Sequence, residues 1–308
     1  AMDVITLTGN LLAEWTFEIE ALQAGKTHRA SAMSFQVGGK GFNVSRILKR
    51  LEHSTEALGF AGGQMGELCS AWLSNRNEAH CFFPLEQGVR PGVVVRESDT
   101  DKDETTFLGK DLPVTSAAWQ AACKYVAEAG PKWLAITGSI PGWQSDWLKS
   151  LKEMAAVNPR IRICVDTYGP ALSDLTRLPL ELVKINRTEL AKLVPDSGGM
   201  PLVEVLKLLH QNSPVQNWII TDGPQMIVAE FSNGDTFEII PATITEVSPT
   251  GSGDTFLAAM LDGWIRDMDR EQMLTHAAAC ATANAASPNI GDFPIPVPGC
   301  YRPQVRLL

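Results

Sequence analysis

Apolar positions in this chain recur with two periods, and the two periods alternate along its length. Val4-Ile5-Thr6-Leu7-Thr8 is a short β-branched run closed by Gly9-Asn10, the pattern of a buried strand entering a loop. Val44, Ile47, Leu48 and Leu51 keep the i, i+3, i+4, i+7 spacing of one helix face. Residues 57–63 read as a strand ending in a turn, and further strands are expected at 133–137, 161–165, 182–185 and 218–221. Helical patterns cover about 116–129, 143–156, 188–194, 201–212, 253–267 and 270–286. Such alternation predicts an α/β fold with a mostly parallel sheet and helices on both faces. Ligands of these sheets bind beyond the carboxyl ends of the strands. There the chain places Thr8-Gly9-Asn10, Thr137-Gly138-Ser139, Asp166, Asn186 and Thr221-Asp222-Gly223.

Two stretches depart from the alternation. Residues 15–37 are partly period-two and are broken by Gly25-Lys26-Thr27 as by a hairpin turn. Residues 80–110 again look extended, with Asp, Lys and Glu between short apolar runs. The expectation is one α/β domain over residues 1–308, with 15–37 and 80–110 forming a small separate β-sheet.

Composition narrows the function. With 44% hydrophobic and 20% charged residues the chain is ordinary globular protein. A formal net charge of −9 argues against nucleic acid as a main partner but allows small anions held by local cations. No run of about 18 apolar residues exists to span a membrane. The six cysteines form no CxxC pair, and the beginning of the chain lacks the pattern of a signal peptide; free thiols in a reducing cytoplasm are the expectation. No zinc, HExxH or GxSxG pattern occurs.

Two glycine-rich turns open helices. Thr250-Gly251-Ser252-Gly253-Asp254-Thr255-Phe256 leads into an apolar helical run, so its unpaired N–H groups and dipole form an anion site. Asp254 would repel a phosphate there unless it serves to take a proton from an attacking hydroxyl. An ordinary helix start, with Gly and Ser at the cap and Asp in the first turn, explains the same residues about equally well. Gly38-Gly39-Lys40-Gly41-Phe42-Asn43 is the second turn; it lacks the third glycine of a dinucleotide fingerprint. Gly25-Lys26-Thr27 is no phosphate loop, because Glu20 stands where that motif needs glycine. Asn186 and Glu189, three apart at a strand-to-helix junction, suit water-bridged Mg²⁺, though the motif alone fits a capping-box variant better. Lys26, Arg29 and Arg90 cluster in the suspected small sheet with Lys40 near its base, either as solvated cations or as a clamp for an anionic substrate.

Together these segments resemble the PfkB/ribokinase-like carbohydrate kinases over almost the whole chain. The pair Gly38-Gly-Lys-Gly-Phe-Asn-Val-Ser45 and Thr250-Gly-Ser-Gly-Asp-Thr-Phe256, in this order, carries most of the resemblance. It is closest to the branch that phosphorylates hexose phosphates. The resemblance implies a ribokinase-like three-layer core with a small β-sheet lid, through which many members form homodimers. Asp254 matches the catalytic base, and Gly251, Ser252 and Gly253 its anion hole. Gly38, Gly39, Lys40 and Asn43 match the sugar-contacting turn, while Lys26, Arg29, Arg90 and Ser139 match positions that hold the substrate's own phosphate. Asn186 and Glu189 match the motif tied to Mg²⁺, and Lys184, Asn186, Thr221, Gly223 and Asn284 fall on the ATP side. Glu14 replaces the aspartate that grips sugar hydroxyls, Met226 replaces a glycine of the nucleotide loop, and Ser248 leaves K⁺ as an open further cofactor. The implied reaction is ATP-dependent phosphorylation of a ketohexose phosphate (fructose 1-phosphate, fructose 6-phosphate or tagatose 6-phosphate). A kinase of a neutral sugar such as fructose or ribose, a nucleoside kinase, and a non-catalytic sugar- or nucleotide-binding protein are the alternatives.

Overall fold

The period-two alternation sorts strand side chains between two cores. In the strand Trp133–Thr137, Leu134 and Ile136 pack into one apolar cluster, and Trp133 and Ala135 into the other. The structure is a computed structural model that describes residues 1–98, 104–222 and 224–308. Among these residues the strands are β1 (Val4–Thr8), β2 (Leu12–Ile19), β3 (Ala32–Gly38), β4 (Thr55–Ala61), β5 (His80–Pro84), β6 (Arg90–Glu97) and β7 (Thr105–Leu108). They continue with β8 (Trp133–Thr137), β9 (Arg162–Asp166), β10 (Leu182–Asn186), β11 (Asn217–Asp222), β12 (Met226–Glu230), β13 (Thr236–Ile240) and β14 (Gln304–Leu307). The α-helices are α1 (Lys40–Arg50), α2 (Gly63–Asn75), α3 (Ser116–Ala129), α4 (Leu148–Val157) and α5 (Pro170–Leu175). After them come α6 (Arg187–Leu193), α7 (Leu202–Asn212), α8 (Ser252–Ile265) and α9 (Arg270–Ala285).

Ten strands form one sheet in the order β14-β13-β12-β11-β10-β9-β8-β1-β4-β5. From β5 to β11 neighbours run parallel, joined by helical crossovers; β12, β13 and β14 continue antiparallel at one edge. One face carries α3, α4 and α7, the other α1, α8 and α9, giving the three-layer ribokinase-like α/β arrangement. The smaller sheet has the order β3-β2-β6-β7, with β2 parallel to β6 and the other pairs antiparallel. A third cluster, including Leu11, Val37, Phe42 and Leu73, packs its base against α1 and α2.

The sequence expectation needs correcting at two places. Residues 80–84 were expected in the smaller sheet with the rest of 80–110; they pair with β4 at the edge of the large one. The strand stops at Pro84, and only from Arg90 does the chain cross to β2. The antiparallel edge β12–β14 had no sequence expectation. No helix among the described residues is long and apolar enough to cross a membrane.

Register aligns the carboxyl ends of the central strands: Thr8 pairs with Thr137, Thr137 with Asp166, and Asn186 with Thr221. Alternation then decides which way these residues face. Thr8, Thr137, Asp166 and Lys184 lie an even number of residues from Val4, Trp133, Cys164 and Leu182, so they share the α1/α8 side of the sheet.

Beneath that site the helical layer is pinned by one buried acid. Asp262 of α8 pairs with His53 at 2.6 Å, with His276 of α9 at 2.6 Å and with Arg266 at 2.6 Å. Burial acts to lower the pKa of His276, but the hydrogen bond to Asp262, the contact with Cys280 and the Asp262 charge together outweigh it and raise the value from 6.5 to about 9. A raised folded-state pKa stabilises the fold fully below the unfolded value of 6.5, and that stability is lost as pH rises through about 9. Denaturant titrations between pH 6 and 9.5 should therefore show a decline of up to about 3 kcal/mol that His276→Gln removes. An equally steep decline in the variant would refute this assignment.

Candidate functional site

Of the helices that open on a glycine, α1 and α8 do so where the chain must turn sharply with no room for a side chain. Gly39 precedes α1 at φ 140°, and a Cβ on Gly41 would lie 2.3 Å from Thr8 Oγ1. Gly251 precedes α8 in the left-handed region at φ 78°, where a Cβ would lie 2.7 Å from Ile290. Neither helix has a side-chain cap, unlike α3, α6 and α9, capped by Thr115, Asn186 and Asp269. The N–H groups of Gly253 and Asp254 thus remain for an anion, while those of Ser252 and Thr255 donate to Pro249 O at 3.2 Å and Gly251 O at 2.9 Å.

The two turns meet across the carboxyl ends of β1 and β8. They border a cleft of about 310 Å³ lined by Gly39, Lys40, Asn43, Arg90, Ser139, Gly251 and Asp254 from the sequence-predicted set. Thr8, Asn10, Gly138, Tyr168 and Thr250 complete the lining. A larger groove of about 980 Å³ lies between α8, α9 and the C-terminal segment, remote from both glycine turns.

Asn43 Nδ2 donates to Asp254 Oδ2 at 2.9 Å, so α1 holds the carboxylate that opens α8. Asp254 is buried, which raises its pKa; Lys40 and the Asn43 hydrogen bond oppose that shift, and Asp166 reinforces it. Asp166 is also buried, which acts to raise its pKa, but two ammonium groups prevail and hold it below the usual value. Lys184 Nζ lies 3.1 Å from Asp166 Oδ2, and Lys40 Nζ 3.5 Å from Oδ1. Burial of Lys40 acts to lower its pKa, but Asp166, Asp254 and Glu189 together raise it, so the ammonium stays charged.

Beyond this pair lie the residues expected on the nucleotide side. Asn186 and Glu189 form a true capping box: the Asn186 N–H donates to Glu189 Oε2 at 2.8 Å, and the Glu189 N–H donates to Asn186 Oδ1 at 2.9 Å. The capping reading is therefore correct, and it leaves the second Glu189 oxygen available. Burial raises the Glu189 pKa. That carboxylate oxygen, on a side chain that senses the charges of Asp166, Lys40 and Lys184, fits Mg²⁺ held through water, which needs few protein ligands; the described residues contain no cluster of three or more His, Cys, Asp or Glu side chains suited to a metal. Lys184 sits under Gly253, 3.2 Å from where a Cβ would be, and Thr221 is level with Asn186. Gly223 lies outside the described residues.

Other expected residues sit elsewhere. Lys26 and Arg29 are exposed in the connection between β2 and β3 and do not line the cleft. Glu14, on β2, accepts a hydrogen bond from Gln36 of β3; Gly38 ends β3 and is absent from the lining. Asn284 is buried and turned into the protein: its amide donates to Thr250 O at 3.0 Å and Ser252 Oγ at 3.2 Å, and its oxygen accepts from Gly291 N at 2.9 Å. It braces the anion turn. Asp166 and Asp111, the partner of Arg90 at 3.1 Å, had no assigned role in the sequence. The strand-end position of Asp166 was its only signal.

Because Lys40 lowers the pKa of Asp254, Lys40→Met should raise it further, a shift measurable by carboxyl infrared titration against an Asp254→Asn blank. An unmoved or lowered value would contradict the electrostatic reading.

The chain matches the pfkB family carbohydrate kinase model over residues 3–297. Among solved structures it resembles Escherichia coli phosphofructokinase-2 in complex with fructose-6-phosphate, with a TM-score of 0.83 and 24% identity over 92% of this chain and 94% of that one. A protein described as a possible 1-phosphofructokinase from Thermotoga maritima gives a TM-score of 0.79 and 20% identity over 99% of each chain. A carbohydrate kinase from Agrobacterium tumefaciens gives 0.74 and 19% over 100% of each. At these identities the structures speak for the fold, and the family match speaks for the activity. The chain belongs to the pfkB family of carbohydrate kinases.

Proposed function

We propose that this kinase transfers the γ-phosphate of ATP to a hydroxyl of a ketohexose phosphate. The observation that carries the reading is Asp254, a buried carboxylate at the first turn of an uncapped helix, held by Asn43 in a cleft that also contains Arg90. The acceptor hydroxyl would donate its hydrogen bond to Asp254. In a loose phosphoryl-transfer transition state the proton leaves late, so orientation matters more than basicity. The Asn43 amide fixes that orientation. The N-terminal turn of α8, braced by Asn284, faces the oxygens of the transferred group, and Lys40 and Lys184 offset the buried carboxylates of the floor. Mg²⁺, when bound through the Glu189 side, supplies further positive charge for the phosphates.

Arg90 favours a phosphorylated acceptor: its side chain is mostly buried, its Nε has no hydrogen-bond partner among the described residues, and Ser139 lines the same cleft. A neutral sugar is the second reading, supported by the position of Lys26 and Arg29 away from the lining. Intact Asp254 and Asn43 disfavour a non-catalytic binding protein.

A second copy of the chain on the smaller sheet completes the reading. Alternation puts Trp15, Phe17, Met33, Phe35, Val93 and Phe107 on one face of that sheet, where Met33 is 62% and Phe107 56% exposed.

The reading is tested by ADP release over fructose 1-phosphate, fructose 6-phosphate, tagatose 6-phosphate and free sugars. A phosphorylated ketohexose should give the highest kcat/KM. Asp254→Asn should lower kcat about 10²–10⁴-fold with ATP affinity retained; a near-normal kcat would remove Asp254 from its role. Sedimentation should show a dimer that Phe107→Asp dissociates, and a native monomer would sink the pairing.

A further inference from the structure

The acceptor end of the cleft carries a carboxylate with no role in the chemistry above. Asp111 stands just after β7, with its side chain 57% exposed. Its Oδ1 accepts from Arg90 Nη1 at 3.1 Å and from Asn10 Nδ2 at 3.0 Å. Asn10 Nδ2 also lies 2.9 Å from Ser139 Oγ. One oxygen therefore gathers the guanidinium and amide that line the cleft, and Asn10 links them to Ser139.

The two partners of the ion pair differ in their settings. Arg90 begins β6 with its side chain only 16% exposed, whereas Asp111 lies on an irregular segment open to solvent. The cation is fixed by the sheet; the anion can leave. The pair also uses the guanidinium incompletely. A carboxylate or phosphate satisfies a guanidinium best through two parallel N–H bonds. Here Asp111 meets Nη1, while Nε is buried with no partner among the described residues. Thr8 Oγ1, in the same cleft, is likewise buried without a partner. A buried unpaired donor is costly, so the site is arranged for an anion with more oxygens than Asp111 brings.

We propose that Asp111 is a specificity-determining positioning residue: it occupies Arg90 and Asn10 in place of the acceptor's anionic group and yields them to a phosphate. A phosphate carries more charge and three acceptor oxygens, so it displaces the carboxylate; a neutral hydroxyl does not. Asp111 thereby sets the threshold that an acceptor must pass to take Arg90. Its negative charge weakens phosphate binding while keeping the unoccupied guanidinium aligned. This inference rests on the sugar-phosphate reading.

Asp111→Asn keeps the shape and removes the charge. It should lower KM for the phosphorylated acceptor about fivefold, the scale of one exposed ion pair, with the effect in KM rather than kcat. Asp111→Glu should restore the original KM, and KM for a neutral sugar should not fall. An unchanged KM in Asp111→Asn would reduce the contact to a surface ion pair and overturn the proposal. A KM raised for every acceptor would make Asp111 a ligand of sugar hydroxyls and overturn it equally. If the native enzyme turns over no sugar phosphate, the functional reading fails by itself. Asp111 is then judged by calorimetric binding of inorganic phosphate: tighter binding to Asp111→Asn than to native protein, lost in Arg90→Ala, supports the proposal, and equal binding overturns it.

Discussion

Two buried carboxylates sit within one small volume under the α1 and α8 turns, and the site depends on balancing them. Asp166 and Asp254 are 2% and 6% exposed, and leaving both uncompensated would be prohibitive. Lys184 and Lys40 supply the opposite charge, but unequally. Asp166 takes both ammonium groups as close partners, whereas Asp254 receives only the Asn43 amide directly. One acid is thereby held ionised and the other kept at a raised pKa. The same distribution separates a structural carboxylate from one suited to meeting a hydroxyl.

This balance follows from strand geometry. Asp166, Lys184, Thr8 and Thr137 come to one side of the sheet because each sits in even register with a core residue. A one-residue slip in β9 would turn Asp166 toward the opposite core of Leu and Trp side chains. Packing on the far face and charge balance on the near face therefore protect the same register.

What could be read from the chain alone divides along physical lines. The central parallel strands, most of the helices and both glycine turns are local patterns of period and turn chemistry, and they appear where the sequence places them; α2 and α5 had no such expectation. Asn43 and Asp254 were legible as separate motif residues, and their 2.9 Å contact joins positions 211 residues apart. Asn284 looked like a nucleotide-side residue, but burial made its amide more useful as a brace. Lys26 and Arg29 looked like partners of Arg90 because all three were assigned to one sheet; their place in an exposed connection separates them. Asp111 had no periodic context at all, and its meaning lies wholly in contacts with Asn10 and Arg90 from distant segments.

Asn284 ties the carbonyl of Thr250, the hydroxyl of Ser252 and the N–H of Gly291 into one knot at the end of α9. The turn at the start of α8 is thus built into the helical layer, while Arg90 belongs to the smaller sheet. The two parts rest on different cores of the fold. On the proposed function, a substitution at Arg90 in the smaller sheet would alter how the acceptor is held and leave the Asn43–Asp254 contact untouched, so acceptor preference would shift while the chemistry stayed put.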